Sequence, residues 1–193
     1  MDCYDRGMSK QKVKGSVLKS RLEFVRKDFG EAGLDKVLDS LSDDDRKALG
    51  RLVAVTWVDF DVGKRLDDAI VKMVGGGSTR FFERLGEASA EVNLASLHSA
   101  FLAPGDPQAF LAKAPQIYRL YYDVGWREYH KTGEREGVLT THEAETFSKA
   151  DCLTVIGWYR RALEMCGARN VRIVEEECRS SGGSVCRYRV SWQ

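Results

Sequence analysis

The sequence predicts an α+β protein in which N-terminal helices pack on an antiparallel sheet that ends strand–strand–helix–strand–strand. Two observations support this fold class. Apolar residues recur at helical spacing from Gly15 to Tyr122, whereas after Gly125 two pairs of short strand-like segments flank one further helix. A run of helices followed by a run of strands is typical of α+β folds with an antiparallel sheet.

Capping and breaking residues divide the helical part, which is predicted to span residues 14–124. Gly30 is suited to end the first helix, and Ser42 begins another because three acidic residues follow it in the first turn. Ser78 is a further predicted cap, while Val53–Val58 is too short to assign. Helices are predicted at residues 15–29, 31–41, 42 onward, 61–74, 78–88, 92–101 and 110–122.

The sheet part is predicted to span residues 125–193, as two hairpins around one amphipathic helix. The helix begins at a Ser148 cap and ends at Cys166, before Gly167. Its flanking strands are predicted at Trp126–Lys131, Gly137–His142, Val171–Val174 and Cys186–Trp192. Residues 1–13 are expected to be a disordered tail, and residues 14–193 a single domain.

Composition excludes several classes of function. Thirty Lys and Arg residues nearly balance twenty-nine Asp and Glu residues, which argues against nucleic acid as a partner. No apolar stretch is long enough for a membrane span, and the N-terminus lacks a signal sequence. The odd cysteine count of five favours free thiols or metal ligands, so a cytoplasmic location is expected. No known catalytic motif is found, so the chain is not expected to be an enzyme.

Short motifs near both ends resemble a known superfamily. Cys152, the helical Ile156–Trp158, and the strand end Glu175–Cys178 are followed by Cys186–Val190, and this pattern resembles the four-vinyl-reductase-like small-molecule-binding domain. That family is a fold relative of the haem-nitric-oxide/oxygen-binding domains and of TRAPP subunits. The opening segment Lys14–Phe29 is similar to the haem-binding branch.

The resemblance implies a non-enzymatic ligand-binding or sensory module that signals to a partner protein. Its pocket for a small apolar or aromatic molecule is expected between helices and sheet, where aromatic residues concentrate. The candidate pocket residues are Tyr118, Tyr121, Tyr122, Trp126 and Trp158. A first alternative is an adaptor subunit with a filled pocket, and a second copy of this chain is one partner to consider.

The resemblance also implies a metal site. In sensory members of the family, cysteines at matching positions bind zinc together with a carboxylate, and here Cys152, Cys178 and Cys186 occupy those positions. Three thiolates plus one oxygen or nitrogen suit Zn²⁺, and the fourth-ligand candidates are Glu175, Glu177 and His142. The alternative is that these thiols pack in the core, as Cys166 is expected to do.

A haem-based gas sensor using His98 is the second alternative. The segment Asn93–His98 resembles the one that supplies the proximal histidine in haem-nitric-oxide/oxygen-binding proteins. Those proteins also hold the haem propionates with a Tyr-x-Ser-x-Arg motif, which is absent from Tyr121–Arg127. Haem is therefore not expected on sequence grounds.

Overall fold

The predicted α+β architecture is present in the computed structural model, which describes residues 11–96, 98–145 and 147–193. Helices dominate the first part of the chain. The last four strands form one antiparallel sheet, and a helix lies between its two hairpins in the chain. The sequence-based prediction of a strand–strand–helix–strand–strand ending is confirmed.

The elements are numbered in chain order. The strands are β1 (Lys12–Lys14), β2 (Trp57–Asp59), β3 (Trp126–Gly133), β4 (Glu136–His142), β5 (Arg172–Glu177) and β6 (Cys186–Ser191). The helices are α1 (Gly15–Asp39), α2 (Asp43–Gly50), α3 (Phe60–Met73), α4 (Arg80–Ala95), α5 (Pro107–Leu111), α6 (Ala114–Tyr121) and α7 (Lys149–Met165). Two 3-10 turns cover Ser99–Phe101 and Arg179–Ser181.

The beginning of the chain differs in part from the prediction. Residues 1–10 of the expected disordered tail lie outside the described residues. Lys12 and Val13, however, belong to β1, which pairs with β2 and bridges to Tyr122 at the end of α6. Both strands are three residues long, which is too short for an alternating pattern to identify them. This small ladder joins the helical part to the sheet part.

The observed helix boundaries agree only in part with those predicted from Gly30 and Ser78. The two helices predicted around Gly30 form one element, α1, which kinks where Gly30 takes a φ of +71° that favours glycine. The cap predicted at Ser78 is displaced, since Thr79 immediately precedes α4. Helix α4 ends at Ala95, so the predicted helix over residues 92–101 is divided between α4 and a 3-10 turn.

The sheet has the strand order β3-β4-β6-β5, and all its neighbours are antiparallel. Strand β6 is central, so Tyr188 pairs with Leu139 on one side and with Glu175 on the other. Leu139 and Tyr188 are both buried. The face that carries them packs against α7 and closes the main apolar core.

Helices α4 and α7 approach closely at two glycines. A Cβ atom on Gly86 would lie 2.0 Å from the carbonyl oxygen of Thr154, and one on Gly157 would lie 1.9 Å from that of Glu83. Both distances are hard overlaps, so only glycine fits this crossing. The contact fixes the position of α7 and, with it, one wall of the cavity described below.

Two apolar clusters make up the interior. One lies between the sheet and helices α4 to α7, and the other among helices α1 to α4. Val17, Tyr122 and Leu153 pack against both clusters and therefore mark the junction between them. None of the helices in the described part of the chain is long and apolar enough to cross a membrane.

Candidate ligand cavity and thiol cluster

A cavity of about 40 Å³ lies where the helical part meets the sheet part. Side chains from α1, α4, α6, α7 and β3 surround it. Its lining residues are Val17, Arg21, Gly86, Ser89, Ile117, Tyr118, Tyr121, Tyr122, Arg127, Thr154, Val155, Trp158 and Tyr159. Four of the five aromatic residues proposed from the sequence therefore lie around one space.

Trp126 is the exception. Its side chain is exposed, and its indole stacks on the ring of His142 with centroids 4.1 Å apart. Trp126 begins β3, and the side chains of a strand alternate between its two faces. The next residue, Arg127, is buried and lines the cavity in its place. The prediction that Trp126 lines the pocket was therefore wrong, and the lining residue is its neighbour on β3, Arg127.

Arg21 brings a buried guanidinium to the cavity. Its Nε donates a hydrogen bond of 2.8 Å to Oδ1 of Asp67 on α3, and only 6% of the Arg21 side chain is exposed. The Nη1 atom of Arg21 is buried without a hydrogen-bond partner. A buried donor on a charged group that lacks a partner is costly, so this atom requires an explanation.

Two tyrosine hydroxyls at the same cavity are also unsatisfied. The Oη atoms of Tyr121 and Tyr159 are buried and have no hydrogen-bond partner. Burial raises the pKa of Tyr121, so its hydroxyl stays protonated and can donate. By contrast, the Tyr118 hydroxyl donates a 2.8 Å hydrogen bond to the backbone oxygen of Val124. Among the tyrosines of the cavity wall, Tyr121 and Tyr159 therefore have hydroxyls that can still bond to a ligand.

Arg127 is a second buried guanidinium. Its Nε donates to Oγ1 of Thr141 at 2.8 Å, and its guanidinium lies 5.1 and 5.3 Å from the ring centroids of Tyr118 and Tyr159. Within the described residues, none of the ion pairs found involves Arg127. Buried charges are usually paired, so a cation held mainly by aromatic rings is unusual.

Asp151 is a buried acid whose charge interacts with those of Arg127 and Arg21. Its Oδ1 accepts a 2.8 Å hydrogen bond from the Tyr122 hydroxyl. Burial raises the pKa of Asp151 to about 7, against the opposing effects of Tyr122 and Arg127. The carboxyl group is therefore partly charged at neutral pH, and its charge interacts with that of Arg127.

His98 lies just beyond the end of α4 and is half-buried. Its backbone N–H donates to the carbonyl oxygen of Asn93 at 2.8 Å, and its ring meets that of Tyr121 edge-on at 5.5 Å. Burial lowers the pKa of His98, so the imidazole is neutral near pH 7 and free to act as a metal ligand. Tyr121 separates the ring from the cavity, which His98 does not line.

The three cysteines predicted as metal ligands lie together. Sγ of Cys152, at the start of α7, is 3.4 Å from Sγ of Cys178 and 3.9 Å from Sγ of Cys186, and all three lie within 4.8 Å of one another. Zinc–sulfur bonds of 2.3 Å in a tetrahedron place sulfurs about 3.8 Å apart. The spacing therefore fits one zinc ion. All three thiols are buried and reduced.

Hydrogen bonds bias this cluster toward thiolate. The Cys152 thiol hydrogen-bonds to Cys186, and the backbone N–H of Arg179 donates to the same sulfur at 3.5 Å. These contacts lower the pKa of Cys186 to about 6, with Cys152 as the largest cause. The same hydrogen bond raises the pKa of Cys152. The lowered pKa of Cys186 favours the thiolate form that a metal ligand needs.

Glu175 is the carboxylate best placed to complete the cluster. Its Oε2 pairs with Nζ of Lys149 at 2.8 Å, while its Oε1 is buried without a partner. Glu175 also acts to raise the pKa of Cys186, which shows that its charge lies near that sulfur. This oxygen lies outside the 4.8 Å group that the three sulfurs form, so coordination by Glu175 would require its side chain to move toward them.

The other two fourth-ligand candidates are engaged elsewhere. Oε1 of Glu177 accepts from the backbone N–H and hydroxyl of Ser184 and so holds the turn between β5 and β6. His142 pairs with Glu128 at 2.9 Å on the outer side of the sheet. Cys166 is fully buried in the main core, away from the other three cysteines.

Sequence reasoning missed Arg21 and Arg127 as cavity residues. The two are separated by a long stretch of chain, and arginines within amphipathic helices or strands are usually solvated. A detectable signal was the position of Arg21 on the apolar face of α1, between Leu18 and Val25. Both of those residues are buried with it.

The chain matches the family described as "Protein of unknown function (DUF2378)" over residues 6–193 and belongs to it. The search of curated proteins found no match. Among solved structures, it is similar to the unliganded Fe(II) H-NOX protein from K. algicida, with a TM-score of 0.72 and 14% identity over 93% of this chain and 96% of that one.

Two further structures have the same fold. They are the H-NOX protein from S. oneidensis in its Fe(II)NO state (TM-score 0.71, 12% identity, covering 93% of this chain and 99% of that one) and an oxygen complex of an oxygen-binding H-NOX domain related to soluble guanylate cyclases (TM-score 0.69, 12% identity, 93% and 95%). The fold of the chain is therefore the H-NOX fold.

This finding overturns the expectation that haem is an unlikely cofactor. That expectation relied on the missing Tyr-x-Ser-x-Arg spacing after Tyr121. The matched structures are haem proteins in H-NOX form, and the folded chain places Arg127 in the cavity wall without that spacing.

Proposed function

We propose that this chain is a non-enzymatic, H-NOX-like sensory module whose ligand site is the cavity between helices and sheet, and that it passes its signal to a partner protein. The observation that carries the proposal is the set of buried polar atoms at the cavity that lack partners, at Arg21, Tyr121 and Tyr159. Folded proteins rarely leave such atoms unsatisfied, and a bound ligand would satisfy them. The H-NOX fold supports the same site.

Haem is the first ligand to test there. The donor types fit: His98 offers a neutral imidazole, and Arg21 and Arg127 offer buried guanidiniums that could hold carboxylates. When bound, haem supplies iron that coordinates diatomic gases. The present space of about 40 Å³ is far smaller than the roughly 300–1,000 Å³ of ordinary ligand pockets. Haem would therefore displace Tyr121 and Trp158 from the cavity wall.

Displacement of these aromatic rings suggests how a signal would arise. Trp158 lies on α7, stacks on Phe110 of α5, and meets Tyr121 of α6 edge-on at 5.8 Å. Helix α7 in turn contacts α4 at the Gly86–Gly157 crossing. A ligand that moves these rings would shift elements that reach the surface, where a partner can respond.

Haem loading of the purified protein tests the proposal. Wild-type protein incubated with haemin is expected to acquire a stoichiometric Soret band, and His98→Ala is expected to lose it. His130→Ala is the matched control, since His130 is exposed on β3 and lies outside the cavity lining. Equal loading of wild type and both variants would show surface adsorption and contradict a His98-ligated haem.

We further propose a structural zinc site at Cys152, Cys178 and Cys186, with Glu175 as the fourth ligand. The specific observation is the group of three buried thiols within 4.8 Å of one another, and the buried Oε1 of Glu175, which has no partner, is the oxygen proposed to join them. One ion there would join the start of α7 to the end of β5 and the start of β6. Elemental analysis of the purified protein is expected to give one zinc per chain.

A further inference from the structure

Two buried guanidiniums, those of Arg21 and Arg127, line the cavity, and within the described residues only Arg21 is in direct contact with a carboxylate. Arg21 has one carboxylate partner, Asp67, whose pKa is raised by burial. Arg127 contacts a hydroxyl and two aromatic rings instead of a carboxylate. A buried cation without a counter-ion is among the most expensive arrangements in a protein interior. An anion in the cavity would remove that cost.

The unsatisfied atoms define how such an anion would be held. Arg21 Nη1, Tyr121 Oη and Tyr159 Oη all belong to side chains of one cavity, and each is a hydrogen-bond donor without an acceptor. A group that accepts several hydrogen bonds with two coplanar oxygens matches this set. Guanidinium and carboxylate groups are complementary in this way.

The volume sets the size of the anion. A space of one water molecule corresponds to roughly 10–15 Å³ by the same measure, so 40 Å³ holds about three or four heavy atoms. Formate and acetate have three and four heavy atoms, whereas benzoate has nine. The walls are apolar aromatic rings, which suits the methyl group of acetate better than a second polar group.

We infer that the cavity binds the carboxylate of a small organic acid, through Arg21 Nη1 and the hydroxyls of Tyr121 and Tyr159. This inference rests on the proposal that the cavity is the ligand site, but it names a different ligand from haem. It requires no movement of Trp158 or of the helices. Binding supplies the acceptors that the three donors lack in the unliganded protein.

Thermal melting of the purified chain with sodium formate, acetate or benzoate tests this, against sodium chloride at equal ionic strength. Formate and acetate are expected to raise Tm in a saturable way, and benzoate and chloride are not. Tyr121→Phe is expected to melt at or above the wild-type temperature without ligand, since it removes an unsatisfied hydroxyl. The acetate affinity of Tyr121→Phe and of Tyr159→Phe should fall about tenfold or more, as for a lost hydrogen bond to a charged group.

Tyr129→Phe is the matched control. Tyr129 lies outside the cavity lining and its hydroxyl already donates to Oε1 of Gln108, so this variant should melt lower without ligand but keep the wild-type affinity for acetate. Acetate binding without a Soret band after haemin treatment would support this inference and contradict haem as the ligand. A Soret band without any specific effect of formate or acetate would do the reverse. Equal acetate responses in wild type, Tyr121→Phe and Tyr159→Phe would also overturn the inference.

Discussion

The thiols of Cys152 and Cys178 lie 3.4 Å apart, although twenty-six residues separate them in the chain. The first begins α7 and the second follows β5, so the contact joins a helix to the sheet on which it packs. The separation exceeds the roughly 2.0 Å of a disulfide bond and is close to the spacing of two ligands on one zinc ion. Stability should therefore depend on metal at this corner.

Replacing Cys152 tests that dependence. Cys152→Ser is expected to lose bound zinc and about 3–5 kcal/mol of unfolding free energy, because a structural ion contributes on the order of 10 kcal/mol to small domains. For a chain of this length, that corresponds to a fall in Tm of roughly 6–20 °C. Treatment of wild type with a strong chelator should lower Tm to a similar extent. Thermal melting with parallel elemental analysis measures both effects.

Cys166→Ser is the control for this experiment. Cys166 is fully buried but outside the thiol cluster, so the change places a hydroxyl in the core and costs about 1–3 kcal/mol without loss of metal. If Cys152→Ser and Cys166→Ser lower Tm equally, and wild type contains no zinc, the three clustered thiols are core residues. That was the alternative interpretation of the sequence.

The identity of the fourth ligand gives a second prediction. Glu175→Gln is expected to weaken zinc binding by an order of magnitude or more in competition with a chromophoric chelator, since an amide is a poorer ligand than a carboxylate. The variant also loses the ion pair with Lys149. Lys149→Met removes the same pair and leaves the carboxylate, so it should hold zinc as wild type does. Equal affinities in wild type and Glu175→Gln would assign the fourth position to another ligand.

The sequence predicted the order of strands and the helix between the hairpins because their patterns are local. The turn at residues 132–136 identified the strands Trp126–Lys131 and Gly137–His142, and the Ser148 cap identified α7; Ser148 Oγ does accept from the Asp151 N–H at 3.0 Å. It did not predict that Arg21 faces a cavity. That position depends on how α1 packs against α3 and α4, and charged residues in an amphipathic pattern are ordinarily assigned to solvent.

The contrast between local sequence patterns and three-dimensional packing also explains which of the predicted site residues come together. Motifs along the chain suggested that Cys152, Cys178 and Cys186 would meet, and the register of β5 with β6 brings them together. Trp126 was assigned to the cavity because aromatic residues cluster near it in sequence. Alternation along β3 instead directs it outward, and a one-residue shift reverses the face of a strand residue.

The crossing of α4 and α7 yields a third prediction. Helix propensity alone predicts that Gly157→Ala stabilises the protein by about 1 kcal/mol. The new methyl group would, however, overlap the carbonyl oxygen of Glu83 at 1.9 Å. Overpacking of this kind costs about 1–3 kcal/mol or more, so a lower Tm is expected. Because α7 carries Trp158 and Tyr159, ligand affinity should fall as well.

Gly50→Ala is the matched control for that change. A Cβ atom at Gly50, the last residue of α2, would meet nothing within 4 Å. The substitution should therefore leave Tm unchanged or raise it, through an effect of about 0.4–1 kcal/mol on the unfolded chain. Stabilisation by both Gly157→Ala and Gly50→Ala would contradict the close approach of α4 and α7.

The pH dependence of stability gives a fourth prediction, at the contact of α2 with α3. Asp45 accepts two hydrogen bonds from Arg65, from Nε at 2.8 Å and from Nη2 at 2.7 Å. These bonds hold the pKa of Asp45 below its usual value of 3.8. A carboxyl group whose pKa is lowered on folding stabilises the protein above its unfolded pKa, and this contribution disappears as pH falls through the folded pKa.

Asp45→Asn should therefore lower the unfolding free energy by about 1 kcal/mol at pH 7, a modest value because the Arg65 side chain is 52% exposed and screened by solvent. The difference from wild type should shrink below pH 4 and vanish once Asp45 is protonated in both states. Asp44→Asn is the control, since Asp44 is 96% exposed in the same helical turn and should show little difference at any pH. Urea unfolding of wild type and both variants between pH 3 and pH 7 measures these differences. A constant gap between wild type and Asp45→Asn across that range would show that the variant acts through packing or helix capping and not through the charge of Asp45.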